Sequence, residues 1–145
     1  MKVVIQRVKQ AQVSIKGKIV SSIGYGSLFL ICFERKDKDL ELSKVADKLI
    51  SLRYFTEIGT SKMNKNILEI GGEVLSVSQF TLSWDGKKGN RPSFDNSMDA
   101  DFAKIRYDEF NSLLAKKIDV KTGVFGEHME LEFTNDGPVT FSLNF

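Results

Sequence analysis

One cysteine and one histidine among 145 residues remove whole classes of chemistry. Cys32 alone cannot form an internal disulfide, so the fold must stand on its apolar core, and the composition fits a reducing compartment. His128 alone cannot build a metal site of several histidines, and no metal or cofactor is expected. A Cys32–His128 dyad is formally open, yet Cys32 falls inside an apolar run where a thiolate is disfavoured. The other reading of the pair is a small buried hydrophobe and a loop histidine. No Walker loop, no Gly-x-Gly-x-x-Gly after a strand and no Gly-x-Ser-x-Gly elbow occurs. Excess charge is missing too. Lys plus Arg number 21 against 19 Asp plus Glu, a net charge of only +2, which does not announce a nucleic-acid binder. No apolar run reaches membrane-spanning length, and the opening Met1-Lys2-Val3-Val4-Ile5-Gln6-Arg7 has no signal-peptide core. A cytoplasmic protein without membrane partners is expected.

What is present suits a globular chain, with 41% hydrophobic and 28% charged residues, and a single domain over 1–145 is expected. Residues 3–8 form a β-branched run predicted as the first strand. Arg7 falls on its Val3/Ile5 face, either exposed at a strand end or as a guanidinium fork holding carbonyls. Alternation over 11–15 and 19–23 around Lys16-Gly17-Lys18 predicts a hairpin, and Ser27 to Phe33 reads as a strand buried on both faces. Asp37 and Asp39 offer N-caps for a helix with Leu42, Val45, Ala46, Leu49 and Ile50 on one face. A short strand at 53–56 and a Gly/Ser/Lys loop lead to a strand at 73–82 that puts Val74, Ser76, Ser78, Phe80 and Leu82 on one side. Asp99 or Ser97 can cap a second helix whose apolar stripe is Phe102, Ala103, Phe110, Leu113 and Leu114. A short strand at 119–121 precedes a closing hairpin built from 129–133 and 139–145. The class is α+β, a strand-rich, β-barrel-like body of two packed sheets with two helices.

Two stretches carry candidate chemistry. Ser78-Gln79-Phe80-Thr81-Leu82 bunches polar side chains at a strand end. They either make local hydrogen bonds or bind a polar substrate, with backbone N–H groups free to stabilise an oxyanion. No base is placed by sequence to activate Ser78 or Thr81 as a nucleophile. The second stretch is Asn135-Asp136-Gly137-Pro138-Val139-Thr140 between two alternating runs. Asp-Gly there signals a tight turn, but Pro138 removes a donor where a strand should restart. The stretch is therefore a turn containing Pro, or a rigid backbone wedge presented to a ligand. Between the two, the loop 83–97 holds Lys87, Lys88 and Arg91 with Trp84 and Phe94 interleaved, either a solvated loop or a set of phosphate contacts.

The two stretches together resemble the signature motifs of the D-aminoacyl-tRNA deacylases. The likeness extends through Val4-Ile5-Gln6-Arg7-Val8, Lys62-Met63-Asn64, Gly71-Gly72-Glu73, Gly89-Asn90-Arg91-Pro92-Ser93-Phe94 and Thr122-Gly123-Val124-Phe125-Gly126, essentially the whole chain. The resemblance implies the deacylase fold and a homodimer with sites at its interface. It implies a cis Gly137-Pro138 bond that reaches into the partner's pocket and excludes L-amino acids while admitting D-amino acids and glycine. By the same resemblance Arg7 anchors that element, Ser78, Gln79, Phe80 and Thr81 form the catalytic segment, and Met129 lines the pocket. The implied reaction is hydrolysis of the ester joining a D-aminoacyl group, or mischarged glycine, to the tRNA 3′ adenosine. Water attacks, the RNA 2′-hydroxyl assists, and amides near Phe80 and Thr81 polarise the carbonyl. Tyr25 between two glycines, Cys32-Phe33 and Ser83-Trp84 depart from the family pattern and bear on the pocket rim. The other readings are an editing module for a mischarged L-amino acid and a non-catalytic tRNA-binding protein.

Overall fold

The computed structural model describes residues 1–57, 59–87 and 89–145. Ten elements follow in order: β1 (Lys2–Ile15), β2 (Lys18–Ile23), β3 (Gly26–Cys32), α1 (Leu42–Ser51), β4 (Phe55–Thr56), β5 (Met63–Lys65), β6 (Glu73–Ser78), α2 (Ala100–Ala115), β7 (Val120–Thr122) and β8 (Glu130–Asn144). Short 3₁₀ turns occupy Arg35–Asp37 and Phe80–Ser83. Six strands form a barrel-like sheet in the order β2-β1-β3-β6-β7, with β8 on the free side of β1, and β4 and β5 make a second small sheet. The strand pairs β3–β6 and β6–β7 are parallel. Parallel neighbours need a crossover, and the chain uses α1 for the first and α2 for the second. Among the described residues no helix is long and apolar enough to cross a membrane.

β1 organises the sheet. It pairs with β3 through Lys2–Val8, with β2 through Ala11–Ile15, and with β8 along almost its whole length. Val3 and Ile5 pack with Phe29, Ile31 and the two helices in one apolar cluster. Val8, Ala11 and Val13 pack with Ile23, Leu28, Leu75 and Val77 in another. Arg7 and Val8 are consecutive and both buried, so at this point both faces of β1 are covered. The β1–β8 register shifts at this point, and β1 passes from one core to the other.

Several expectations change. Residues 129–145 do not fold back as a hairpin, because both halves pair with β1 and form the single strand β8. From Gln6 to Val8 β1 advances two residues while β8 runs from Thr140 back to Asn135, so 136–139 bulge out. The stretch between the strands expected at 53–56 and 73–82 is not all loop, because Met63–Lys65 forms the short strand β5. β6 stops at Ser78, since Gln79 N–H makes the last rung to the Ile31 carbonyl at 2.7 Å and β3 ends at Cys32. Phe80 and Leu82 therefore leave the strand face and enter a 3₁₀ turn. Phe102 leaves the α2 stripe, which Tyr107, Phe110, Asn111 and Leu114 bury instead. Successive helical residues turn by about 100°, so Phe102 lies well off the line through those four.

Asp37 caps no long helix; α1 begins after Glu41 without a side-chain cap. Asp37 instead receives the buried N-terminal ammonium of Met1 at 2.6 Å and the Glu34 N–H at 2.6 Å. A buried ion that loses its partner costs far more than the pair contributes. Asp37→Ala should lower unfolding free energy by about 3–5 kcal/mol in urea titrations. A change below about 1 kcal/mol would mean that water reaches and solvates the ammonium.

Candidate active site

Beyond the last rung at Gln79 the backbone turns. Leu82 N–H returns to the Gln79 carbonyl at 3.2 Å and Trp84 N–H to that of Thr81 at 3.2 Å. The amides of Phe80 and Thr81 have no acceptor among the described residues, as expected for the first N–H groups of a helical turn. Gln79 Nε2 donates to Thr81 Oγ1 at 2.6 Å, and Phe80 stacks edge-on against Phe94 with centroids 5.0 Å apart. Ser78, Gln79 and Phe80 line a cavity of about 1240 Å³ that also reaches Met129 and His128. The Met129 thioether accepts the Val124 N–H at 3.3 Å. Gly123 permits this, because a Cβ there would stand 2.8 Å from the Met129 sulfur.

The second group lies on the β8 bulge. Arg7, 7% exposed, donates from Nη1 to the Tyr54 carbonyl at 2.7 Å and from Nε to the Asp136 carbonyl at 3.2 Å. The same Nε lies 3.0 Å from the Asp136 carboxylate. Gln6 closes the base of the bulge: its Oε1 accepts from Asn135 Nδ2 at 3.0 Å and from the Thr140 hydroxyl. The Gly137-Pro138 bond is cis, and both residues stand exposed at the tip. Gly137 has φ of +127°, a region closed to side chains, and a Cβ would meet Val139 N at 2.9 Å and Arg7 Nη2 at 3.2 Å. Tyr25 packs edge-on to Phe55, and burial followed by the Asp136 charge raises its hydroxyl pKa.

One chain does not bring the two groups together. Ser78 pairs with Ile31, which pairs with Val3, whereas Gly137 lies on the β8 bulge between the Gln6–Thr140 and Val8–Asn135 pairs, on the far side of β1. Three strand spacings and four residues separate them, roughly 20 Å along the sheet. Among the described residues neither Arg7, Gly137, Pro138 nor Thr81 lines the cavity.

The sequence profile of the D-Tyr-tRNA(Tyr) deacylase family matches residues 4–144. The chain belongs to that family. This deacylase is also similar to a solved structure titled "c-Myc DNA Unwinding Element Binding Protein", with 36% identity, a TM-score of 0.94 and coverage of 100% of this chain and 99% of that one. A second structure, titled "Structural Analysis of a probable eukaryotic D-amino acid tRNA deacylase", shares the fold at 22% identity and a TM-score of 0.80, covering 98% of this chain and 97% of that one. The activity is ester hydrolysis of D-aminoacyl-tRNA.

The remaining candidates can be placed on this deacylase. Lys87 sits beside Asp85, with its N–H on the carboxylate at 3.0 Å and its ammonium at 3.9 Å. Arg91 is exposed, and Lys88 lies outside the described residues. Cys32 and His128 share the cavity wall, but the Cys32 sulfur contacts the Phe33 and Phe80 carbonyls, both at 3.6 Å, and no hydrogen bond joins it to His128 among the described residues. Sequence reasoning gave Gln6 no role, although it stands beside Arg7 in the Val4–Val8 stretch and the polar residues Asn135 and Thr140 flank the motif.

Burial, followed by the nearby Glu34 carboxylate, pushes the Cys32 thiol up to about 11. The unfolded chain ionises this thiol at lower pH than the folded one, so its contribution to stability is lost as pH rises toward about 11. At pH 8 iodoacetamide should alkylate the native chain at least about 100-fold more slowly than the denatured chain. Equal rates would restore Cys32 as a nucleophile.

Proposed function

We propose that this deacylase releases D-amino acids, and glycine, from the tRNA 3′ adenosine, with water as nucleophile and a second copy of the chain completing each site. The observation that carries the reading is the pair of amides at Phe80 and Thr81 without an acceptor among the described residues, Phe80 itself on the wall of a cavity large enough for an aminoacylated adenosine. As water attacks the ester, charge develops on the carbonyl oxygen. Donors aimed at that oxygen favour the transition state over the ground state, each worth on the order of 10²–10³ in rate. Ser78 and Gln79 flank the carbonyl, and Met129 contacts the amino-acid side. The Thr81 hydroxyl is held by Gln79 and does not attack. The 2′-hydroxyl of the RNA assists the water. Lys87, Lys88 and Arg91 contact tRNA phosphates, and the protein works in cytoplasmic proofreading.

The distance between the two groups supports the second copy. Gly137-Pro138 can face a substrate α-carbon in the cavity only if another chain supplies it. β8 pairs only with β1 among the described residues, which leaves its outer edge free for such a contact. Gly137 has no Cβ, so its backbone approaches closely enough to leave space for hydrogen alone. An L side chain collides there; a D side chain points away, and glycine passes. Arg7 keeps the wedge in place through carbonyls from two separate segments, Tyr54 and Asp136.

Hydrolysis of D-tyrosyl-, L-tyrosyl- and glycyl-tRNA tests the reading. Wild type should cleave the first and third. Arg7→Lys, which keeps the charge but lacks the fork, should lower the D-over-L ratio about tenfold and the D rate by less. Equal cleavage of both enantiomers by wild type would falsify the filter. His128 is the one histidine on the cavity wall. His128→Asn and Thr81→Ala should each keep the rate within about tenfold, whereas a loss beyond about 100-fold would assign a proton-transfer role to that side chain.

A further inference from the structure

Phe102 is 66% exposed on α2 and stands on the rim of the cavity that holds Ser78 and Phe80. An uncovered phenyl ring at the lip of a site is free stacking surface. Arg106 follows it on the same helix face, four residues on, and is already engaged by Glu109 and the Leu40 carbonyl. The same wall carries Arg35 and Lys38. Both are exposed, and among the described residues neither has a carboxylate within ion-pair distance; Arg35 Nε reaches only the Ser97 carbonyl at 3.3 Å. The carboxylates of the cavity wall are Asp99, which caps α2, and Glu127. At about 1240 Å³ the cavity exceeds the roughly 300–1000 Å³ of a small-molecule site, so an aminoacylated adenosine leaves room.

An exposed aromatic beside unpaired cations is how proteins hold single-stranded nucleic acid without reading base edges: the ring stacks a base and the cations meet phosphates. We propose that Phe102, Arg35 and Lys38 hold the single-stranded 3′ end of tRNA just upstream of the terminal adenosine. This inference rests on the deacylase reading of the cavity. It makes Phe102 the stacking platform for the penultimate base and Arg35 and Lys38 the contacts for the adjoining phosphates. Stacking is tolerant of base identity, so the wall contributes affinity for the shared 3′ end rather than a choice among tRNAs.

The test measures binding of a fluorescent single-stranded RNA ending in CCA, with hydrolysis of D-tyrosyl-tRNA and of D-tyrosyl adenosine ester alongside. Phe102→Ala should weaken RNA binding about tenfold, and Phe102→Tyr should restore it. The same change should raise the KM for the tRNA relative to that for the adenosine ester. Removing Arg35 and Lys38 should flatten the dependence of log Kd on log salt by about 0.7 for each charge. RNA binding and salt slope equal to wild type in these variants would overturn the proposal, as would an equal KM shift on both substrates. A wild-type chain that binds the RNA through Phe102 but leaves D-tyrosyl-tRNA intact contradicts the deacylase reading alone.

Discussion

A buried guanidinium in the middle of a strand sets the shape of this molecule's second candidate group. Arg7 occupies a position on β1 where the alternation calls for an apolar side chain, and it is almost wholly removed from water. A charge there is tolerable only if its donors are met and its field is balanced. Asp136 supplies both a carbonyl and a carboxylate, and Tyr54 supplies a second carbonyl. Drawing Asp136 inward leaves β8 with more residues than β1 can pair, and the surplus emerges as the exposed tip at Gly137 and Pro138. Gln6 then fastens both feet of the bulge to one oxygen. The tip is held from below by these contacts and exposed above.

Local patterns in the sequence carried the elements themselves. The five-residue apolar stripe of α1, the Asp99 cap of α2 and the doubly buried β3 appear where spacing and residue type put them. What local pattern could not carry was the choice of partner. Residues 129–145 alternate on either side of Asp-Gly whether the chain reverses or runs straight on. The outcome depends on whether both halves find β1, more than a hundred residues away in sequence. Likewise β6 ends where its neighbour β3 ends, so the loss of alternation after Ser78 is written in residues near 31, not near 80. Asp37 reads as a helix cap by type and position, but the buried ammonium of Met1 is a stronger attractor than an exposed backbone N–H.

The candidate site divides in the same way. Ser78, Gln79, Phe80 and Met129 share one cavity, and Arg7, Gly137 and Pro138 share one bulge. Each group could be named from motif and resemblance. Their separation within one chain, which the resemblance implies, cannot be read from local pattern, since three strand spacings are a property of sheet order. Phe102 shows the reverse case, a residue assigned to the core by composition that the helix angle turns outward beside Arg35 and Lys38.

Side-chain chemistry explains little of either group, and this accounts for the failure of familiar catalytic patterns to describe the chain. The cavity's only cysteine is held protonated by burial, and the Thr81 hydroxyl is occupied by Gln79. The free groups at the end of β6 are backbone amides, and the free group at the bulge tip is backbone without a Cβ. Backbone donors cannot titrate away and have no rotamers to move aside. Their position is fixed by the hydrogen bonds on either side, here the Gln79 rung to Ile31 and the Arg7 fork. The position of this backbone rests on the side chains that brace it, Gln6 and Arg7. This arrangement can also accommodate Tyr25 near the bulge, because Tyr25 packs on Phe55 and approaches Asp136 without displacing the contacts that hold the backbone.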